Sequence, residues 1–308
     1  MPYTRVNGVR IAYQASGDPA GPPLLLIMGL GMQLTGWPED FVEGLTEQGF
    51  YVIRFDNRDI GLSDKFEHAG TPNVPLAMLK MLVRWPLKGA YTLADMARDA
   101  VGVLDALGVA KAHVVGASMG GMIAQVLAAA HPARVLTLTS IMSSSGRRGL
   151  PGPTRAARAI LFQRPKAAGD FDSLVAHGAN VFRVIGSPAY PTPEKVLRAR
   201  VGAQIRRNVC PGGVLRQMLA IAASGDRSAL LHSICAPTLV IHGAADPLVP
   251  LACGADTARQ IAHARLEVIE GMGHDLPSQL TERLVCLIDA HAHGKMDPYT
   301  PAQRLEKQ

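Results

Sequence analysis

The sequence predicts an α/β fold in which helices cover both faces of a mostly parallel sheet. Continuous apolar runs, such as residues 24–28, are typical of strands that are buried on both faces. Several of these runs end in a small-residue loop that opens an amphipathic helix, as expected of alternating strands and helices. The chain has 308 residues, of which 48% are hydrophobic, so one globular domain with an insertion is favoured over two equal domains.

Eight strands are predicted, and helices separate most of them. The first two form a hairpin around Asn7-Gly8, because these residues suit a tight turn. Thr92 is a good N-cap and Gly108 a good C-terminal stop for one helix. The strands are expected within 6–13 (two) and at 24–28, 51–55, 112–115, 135–141, 237–243 and 266–269. Helices are expected at 37–50, 93–107, 119–130, 251–262 and 278–290, with others within 154–227.

The pattern changes after residue 142, which predicts a core that is interrupted by an insertion. Clusters of serine, glycine and proline follow, and then helical patterns without a buried strand. We expect a core of 1–142 and 231–294, a helical lid at 143–230 over the carboxyl edge of the sheet, and a disordered tail at 295–308. The apolar stretch 76–87 is either an ordinary surface helix or part of an entrance to the site.

The run Gly116-Ala117-Ser118-Met119-Gly120 places a serine on a sharp turn between a strand and a helix. Ser118 is expected to have a strained backbone, and a side chain at 116 or 120 would collide with a neighbouring element. Such a turn presents the serine oxygen at the carboxyl edge and aims the N–H of Met119 at a developing oxyanion. Taken alone, the pattern is also compatible with an ordinary glycine-rich turn.

Two other strand ends supply the groups that a nucleophilic serine needs. The loop after the strand at 237–243 presents Asp246, and the loop after the last strand presents His274. Serine, acid and base in this chain order, at the ends of successive parallel strands, indicate a Ser-His-Asp triad. The glycine loop after residues 24–28 is expected to add the N–H of Leu30 as a second oxyanion donor, with a flexible loop as the alternative.

Other polar residues near these strand ends are assigned structural roles. His242 lies within a strand and is expected to be a buried histidine with satisfied hydrogen bonds, whereas Asp275 adjoins the base without a strand end to fix it. His131 is expected at the end of a helix. The Asp and Arg residues of the run 56–63 are expected to stiffen a loop beneath the site through a carboxylate–guanidinium pair, with a catalytic role as the alternative.

Composition argues against several classes of protein. Basic residues exceed acidic ones by 31 to 25 but are scattered, and aromatic residues are only 5%, so nucleic-acid binding is not expected. No signal peptide or run of about 18 apolar residues is present, which predicts a cytoplasmic protein without a membrane partner. No cofactor or metal is expected, and monomer and dimer stay open. The four cysteines are expected to be free and mostly buried: Cys210, Cys235, Cys253 and Cys286.

With these residues in place, the chain resembles the α/β-hydrolase superfamily over about residues 9–290. Within it, the chain is similar to small carboxylesterases of the aclacinomycin methylesterase type, through Ile27-Met28-Gly29 and Gly36-Trp37-Pro38. Many members have His-Gly where this chain has Met28-Gly29, so the hydrogen bonds of that histidine are lost while the backbone donor is kept. Three further motifs carry the resemblance: the run 56–63 (Asp-Asn-Arg-Asp-Ile-Gly-Leu-Ser), the run 242–250 that ends in Asp246-Pro247-Leu248-Val249-Pro250, and Gly271-Met272-Gly273-His274.

The resemblance implies a carboxylic ester hydrolase that works through an acyl-enzyme. His274 would deprotonate Ser118, Asp246 would orient the imidazole, and the N–H groups of Leu30 and Met119 would hold the oxyanion. A serine at this position excludes haloalkane dehalogenases and epoxide hydrolases, which need a carboxylate nucleophile. A cofactor-free perhydrolase, a lactonase and a C–C hydrolase remain open, as does a non-catalytic ligand-binding protein.

The predicted substrate is a small to medium, mainly uncharged ester. Apolar side chains are frequent in the predicted lid, and methionines follow two of the strand ends, which together suggest an apolar pocket. These residues are Phe162, Phe182, Val184, Ile185, Leu197 and Met218, with Met32 and Met142.

Overall fold

The computed structural model describes residues 1–82, 85–163, 165–167 and 169–295. Its strands are β1 (Tyr3–Val6), β2 (Val9–Ser16), β3 (Pro23–Ile27), β4 (Tyr51–Phe55), β5 (Ala112–Ala117), β6 (Val135–Ile141), β7 (Thr238–Gly243) and β8 (Arg265–Ile269). They form one sheet in the order β1-β2-β4-β3-β5-β6-β7-β8. The β1–β2 and β2–β4 pairs are antiparallel and the other five pairs are parallel. The predicted eight-stranded, mostly parallel sheet is therefore confirmed.

The helices lie close to their predicted positions. They are α1 (Glu39–Glu47), α2 (Val74–Leu82), α3 (Leu93–Ala106), α4 (Met119–Ala130), α5 (Arg155–Phe162), α6 (Phe171–Ile185), α7 (Glu194–Arg207), α8 (Pro211–Ser224), α9 (Ser228–Leu231), α10 (Leu251–Gln260) and α11 (Thr281–Ala292). Helix α1 ends earlier than predicted, because Gly49 adopts a φ of +90° that a helix cannot contain. Thr92 forms a capping box with Asp95 at the start of α3.

Two hydrophobic layers cover the sheet, one on each face. In β3, Leu25 and Ile27 pack with α3 and α4, whereas Leu24 and Leu26 pack with α1 and α11. All four side chains are fully buried. This two-sided burial explains why the strand is a continuous apolar run rather than an alternating one. It also leaves the carboxyl ends of the parallel strands as the edge where polar side chains collect.

The segment between β6 and β7 contains helices α5 to α9, and no strand among its described residues. That agrees with the helical pattern of the sequence, while its assignment as a lid stays a prediction. Nowhere in the described ranges is a helix both long and apolar enough to cross a membrane. The cytoplasmic location also stays a prediction.

Several surface features differ from the expectations. None of the four cysteines forms a disulfide, but only Cys253 is buried and Cys235 is exposed in the loop before β7, so the prediction of mostly buried thiols was wrong. In the stretch 76–87, Leu79 and Trp85 are exposed, as on a surface helix, although Val74 at the start of α2 lines a cavity. Residues 83–84 of this stretch and 296–308 of the predicted tail lie outside the described residues.

A buried histidine in β5 links the stability of the fold to pH. His113 is 7% exposed, and its Nδ1 lies 2.9 Å from the Thr137 hydroxyl oxygen. Burial, and secondarily the nearby His293 and His291, lower the pKa of His113 from 6.5 to about 4. Between these two values the unfolded chain takes up a proton that the folded chain does not, so stability falls as the pH falls.

We therefore expect His113→Gln to flatten the acid side of the stability profile. Glutamine can keep a hydrogen bond to Thr137 but does not titrate. Between about pH 7 and about pH 4.5, the wild type should lose about 2 to 3 kcal/mol more of its free energy of unfolding than the variant. Urea denaturation at the two pH values measures this. His131→Gln, at the half-buried end of α4, is the control, and an equal loss in all three proteins would contradict the assignment.

Candidate active site

Ser118 lies on the turn between β5 and α4, and its backbone is strained. Its φ is 55° and its ψ is −120°, a conformation that L-residues rarely adopt. A Cβ at position 116 would lie 2.2 Å from the carbonyl oxygen of Gly120, and one at position 120 would lie 1.9 Å from that of Ile27. Both collisions expected from the sequence are thus found. The two glycines let α4 pack closely against β3 and β5 and so hold the turn in place.

The structure brings Ser118, His274 and Asp246 together as a chain of hydrogen bonds. The Ser118 Oγ lies 3.0 Å from Nε2 of His274, and Nδ1 of His274 lies 2.7 Å from Oδ2 of Asp246. The other carboxylate oxygen of Asp246 accepts the N–H groups of Leu248 and Val249, each at 2.8 Å. His274 and Asp246 are buried and Ser118 is half-buried. The catalytic roles of the three residues stay predictions.

The loop that carries His274 is held by the end of α6. The His274 N–H donates to the carbonyl of Ile185 at 2.7 Å, and the Gly273 N–H donates to the Ser187 hydroxyl at 2.9 Å. A Cβ at Gly273 would lie 2.3 Å from the carbonyl oxygen of Gly186, so the two chain segments need a glycine here. The imidazole is therefore positioned by its backbone as well as by Asp246.

The loop 29–34 passes beside the serine. A Cβ at Gly29 would lie 3.1 Å from the Cβ of Ser118. The Gly31 N–H is already used, since it donates to the side-chain oxygen of Gln217 at 2.9 Å. Among the backbone hydrogen bonds of the described residues, none is donated by Leu30 or Met119. The two predicted oxyanion donors therefore have no acceptor among these bonds, and their role stays a prediction.

Three residues that hold the 29–34 loop have no place in the sequence-based site. Asn57 donates to the carbonyl of Met28 at 2.9 Å, Asp56 accepts the Leu34 N–H at 2.7 Å, and Gln217 accepts the Gly31 N–H. Asn57 could have been suspected, because it follows β4, the neighbour of β3 in the sheet. Nothing in the sequence indicated a role for Gln217, because it is 186 residues away from Gly31 in the chain.

The charged residues of the 56–63 loop form carboxylate–guanidinium pairs, as expected, but Asp56 and Arg58 do not pair with each other. Arg58 instead pairs with Asp99 of α3 at 2.6 Å, and Asp56 pairs with Arg207 of α7 at 2.7 Å. Asp56 turns towards the N–H groups of Leu34 and Leu62, which leaves Arg58 to reach α3. The 56–63 loop is still stiffened by carboxylate–guanidinium pairs, but the partners come from distant helices.

A third ion pair of this loop joins Asp59 to Arg216 of α8, at 2.7 Å. Asp59 also accepts the Tyr91 hydroxyl at 2.7 Å and the Phe66 N–H at 2.8 Å. Burial on its own raises the pKa of Asp59, but Arg216 and these donors outweigh it and hold that pKa below its usual range. Asp59 is therefore an anionic anchor for α8.

The residues given structural roles lie as follows. Nε2 of His242 is 2.7 Å from the Val249 carbonyl oxygen, but its Nδ1 has no hydrogen-bond partner. The prediction that the hydrogen bonds of this histidine are satisfied was therefore wrong. Burial lowers the pKa of His242, which keeps this imidazole neutral. Asp275 accepts the Ser187 hydroxyl at 2.5 Å, and burial raises the pKa of Asp275. His131 is the C-terminal cap residue of α4, as expected.

The residues predicted to form one apolar pocket are divided between cavities and the core. One cavity, of about 630 Å³, has Gly31 in its lining, and a second, of about 540 Å³, has Asp275 in its lining. Ile185 and Met142 belong to hydrophobic clusters instead. The first cavity includes Phe162, Val209, Val214, Leu215 and Met218; the second includes Met32, Trp37, Phe182, Leu197 and Arg200. In the described part of the chain, no group of three or more His, Cys, Asp or Glu side chains could hold a metal ion.

Comparison with known proteins identifies the family. A family model described as the alpha/beta hydrolase fold matches residues 22–278. Rhodomycin D methylesterase DauP of Streptomyces sp. (strain C5) is 32% identical over 296 residues, which cover 90% of this chain and 93% of that protein. Rhodomycin D methylesterase DnrP of Streptomyces peucetius is 30% identical with the same coverage. A meta-cleavage product hydrolase from Pseudomonas fluorescens IP01 shares the fold, with 21% identity, a TM-score of 0.74 and coverage of 96% and 98%.

The chain therefore belongs to the α/β-hydrolase fold family. It is an ester-hydrolysing enzyme of that family, and its resemblance is to the methylesterase type. The similarity predicted from the sequence motifs is confirmed at this level.

The close packing at the elbow predicts that Gly120→Ala destabilises the protein by about 3 kcal/mol or more, because the new methyl group overlaps the Ile27 carbonyl. Gly152→Ala is the matched control, since a Cβ there has no atom within 4 Å. Thermal unfolding of both variants measures the difference. A Gly120→Ala protein as stable as Gly152→Ala would mean that the elbow is less tightly packed than described.

Proposed function

We propose that the protein is a carboxylic ester hydrolase that works through a Ser118, His274 and Asp246 triad and an acyl-enzyme. The observation that carries the proposal is the continuous hydrogen-bonded chain from Ser118 through His274 to Asp246, with distances of 3.0 and 2.7 Å. The membership of the family and the two methylesterase relatives support it.

The first half of the reaction forms the acyl-enzyme. Asp246 receives the Nδ1–H of His274, which leaves the lone pair of Nε2 to accept the proton of the Ser118 hydroxyl. The serine oxygen then bonds to the ester carbonyl carbon, and the N–H groups of Leu30 and Met119 hold the negative oxygen. When the carbon–oxygen bond breaks, the imidazolium returns its proton to the leaving alcohol.

The second half releases the acid. Water takes the place of the alcohol, and His274 removes one of its protons as the water oxygen bonds to the acyl carbon. The same two N–H groups hold the second oxyanion, and its collapse returns the proton to the Ser118 oxygen. No metal or cofactor takes part in either step.

We further propose that 143–230 is a cap over the carboxyl edge, with 1–142 and 231–294 as the catalytic core. Contacts between this segment and the loops of the site support the assignment. Gln33 of the 29–34 loop donates to the carbonyls of Gln204 and Asn208, at 2.7 and 2.9 Å. The pairs of Arg207 and Arg216 with the 56–63 loop and the contact of Ile185 with His274 lie at the same edge.

The proposed substrates are small to medium, mainly uncharged esters, and methyl esters are the first class to test. The names of the two Streptomyces relatives motivate the methyl ester. The cavity lined by Gly31 and Met218 is mostly apolar, and an ionised acid placed there would lose its hydration without a matching partner.

Replacement of the nucleophile and the base tests the triad. Ser118→Ala and His274→Gln are each expected to lower kcat for p-nitrophenyl butyrate by about 10³-fold or more, because they remove the attacking atom and its base. His131→Gln is the control, since this histidine caps the C-terminal end of α4 and its loss should leave kcat within about tenfold. Activity that survives Ser118→Ala would overturn the triad. A wild type without turnover on any activated ester would favour a ligand-binding protein.

A matched pair of methyl esters tests the charge preference. Dimethyl suberate and monomethyl suberate have the same carbon chain, but only the second carries a carboxylate at neutral pH. We expect kcat/KM to be at least about tenfold higher for the diester, because the carboxylate must be desolvated. An equal or higher kcat/KM for the monoester would contradict an uncharged substrate class.

A further inference from the structure

Gln217 connects the helical segment 143–230 to the loop beside the serine. It lies on α8 and is fully buried. Its side-chain oxygen accepts the Gly31 N–H at 2.9 Å, and its side-chain nitrogen donates to the Arg58 carbonyl at 3.0 Å. One amide thus uses both an acceptor and a donor to join the 29–34 loop to the 56–63 loop.

The bond to Gly31 restrains the part of the loop that carries the Leu30 N–H. Gly31 has a φ of +70°, and a glycine in this region rotates with little steric resistance. If the bond to Gln217 is absent, the Gly31 N–H is left without that partner, and the peptide groups on either side can turn to find another. Such a rotation would move the N–H of Leu30 away from the Ser118 oxygen.

Gln217 is itself held rigidly. Its neighbour Arg216 forms an ion pair with Asp59, with side chains that are 4% and 0% exposed. A Cβ at Gly213, one turn earlier in α8, would lie 2.3 Å from the Asp59 carbonyl oxygen. A Cβ at Gly31 would lie 3.2 Å from a methyl group of Val214, so α8 also passes close to the 29–34 loop. This turn of α8 therefore has little freedom to shift relative to either loop.

We propose that Gln217 is a positioning residue for ester hydrolysis, which aims the N–H of Leu30 at the developing oxyanion by fixing the N–H of Gly31. The inference rests on the function proposed above. On this proposal, helix α8 affects the rate of the chemical step as well as any binding of the substrate. Gln217 acts through the backbone and does not touch the reacting atoms.

Gln217→Met tests this proposal, because methionine has a similar length but neither accepts nor donates these bonds. Misplacement of one oxyanion donor should lower kcat for p-nitrophenyl butyrate about 10- to 100-fold, with KM within about threefold. Gln125→Met is the matched control. Gln125 is also a fully buried glutamine, and it donates to Ser140 at 3.2 Å, away from the 29–34 loop. Its kcat should stay close to that of the wild type.

A pair of ketones separates positioning from a general structural effect. 1,1,1-Trifluoro-2-octanone forms a tetrahedral adduct with a nucleophilic serine, whereas 2-octanone resembles the ground state. For Gln217→Met, the inhibition constant of the trifluoroketone should rise by about the same factor as kcat/KM falls, and that of 2-octanone should not change. Equal weakening of both ketones, or kinetics like those of Gln125→Met, would overturn the proposal.

Two further proteins complete the experiment. If Gln217→Met does not fold, Gln217→Asn removes only one methylene, and it must show the same selective loss for the trifluoroketone. Ser118→Ala is assayed in parallel. If Ser118→Ala is inactive and the Gln217 variants behave like the wild type, the positioning role alone fails. If Ser118→Ala keeps its activity, the proposed triad and the role of Gln217 fail together.

Discussion

The strained backbone of Ser118 is the constraint on which the rest of the site depends. A positive φ at a non-glycine residue costs about 1–3 kcal/mol, so the surrounding packing must hold it. Helix α4 does this by contacting β3 and β5 without intervening side chains, through Gly116 and Gly120. The same geometry begins α4 immediately after the serine, so the Met119 N–H is at the first position of the helix and has no helical acceptor.

The loops around this turn are held by partners from distant parts of the chain. Arg58 pairs with Asp99, and the carboxylates of Asp56 and Asp59 pair with arginines of α7 and α8. Because desolvation offsets much of the Coulombic attraction in such buried pairs, their main effect is to fix geometry rather than to add net stability. The charged groups of the 56–63 loop thus serve the same end as the glycines of the elbow, which is to keep the carboxyl edge of the sheet in one arrangement.

The sequence predicted the site residues whose position follows from local pattern and sheet topology. It did not predict the contacts between segments that are distant in the chain. Ser118, Asp246 and His274 each follow an apolar run, and parallel topology alone brings such strand ends to one edge. Gln217 could not be found in this way, because a helix interior gives no indication of which loop it faces. The partner of Arg58 was missed for a similar reason, since a local pair with Asp56 was equally consistent with the sequence. The residues predicted to form one apolar pocket are divided between two cavities and the core, because apolar character alone does not distinguish a cavity wall from a core.

The ion pairs also limit how the helical segment can open. If helices α7 and α8 lifted away as a unit, the bonds of Arg207 and Arg216 to the 56–63 loop would break, and the charged groups that they join would return to water. The bond between Gln217 and Gly31 would break with them, so such an opening would also release the loop beside the serine. Helix α5 packs through Ala157 and Ile160 against Ile185, a small apolar cluster without an ion pair among its members. Movement of α5 alone would leave the bonds of Arg207, Arg216 and Gln217 in place, and with them the geometry of the loop beside the serine.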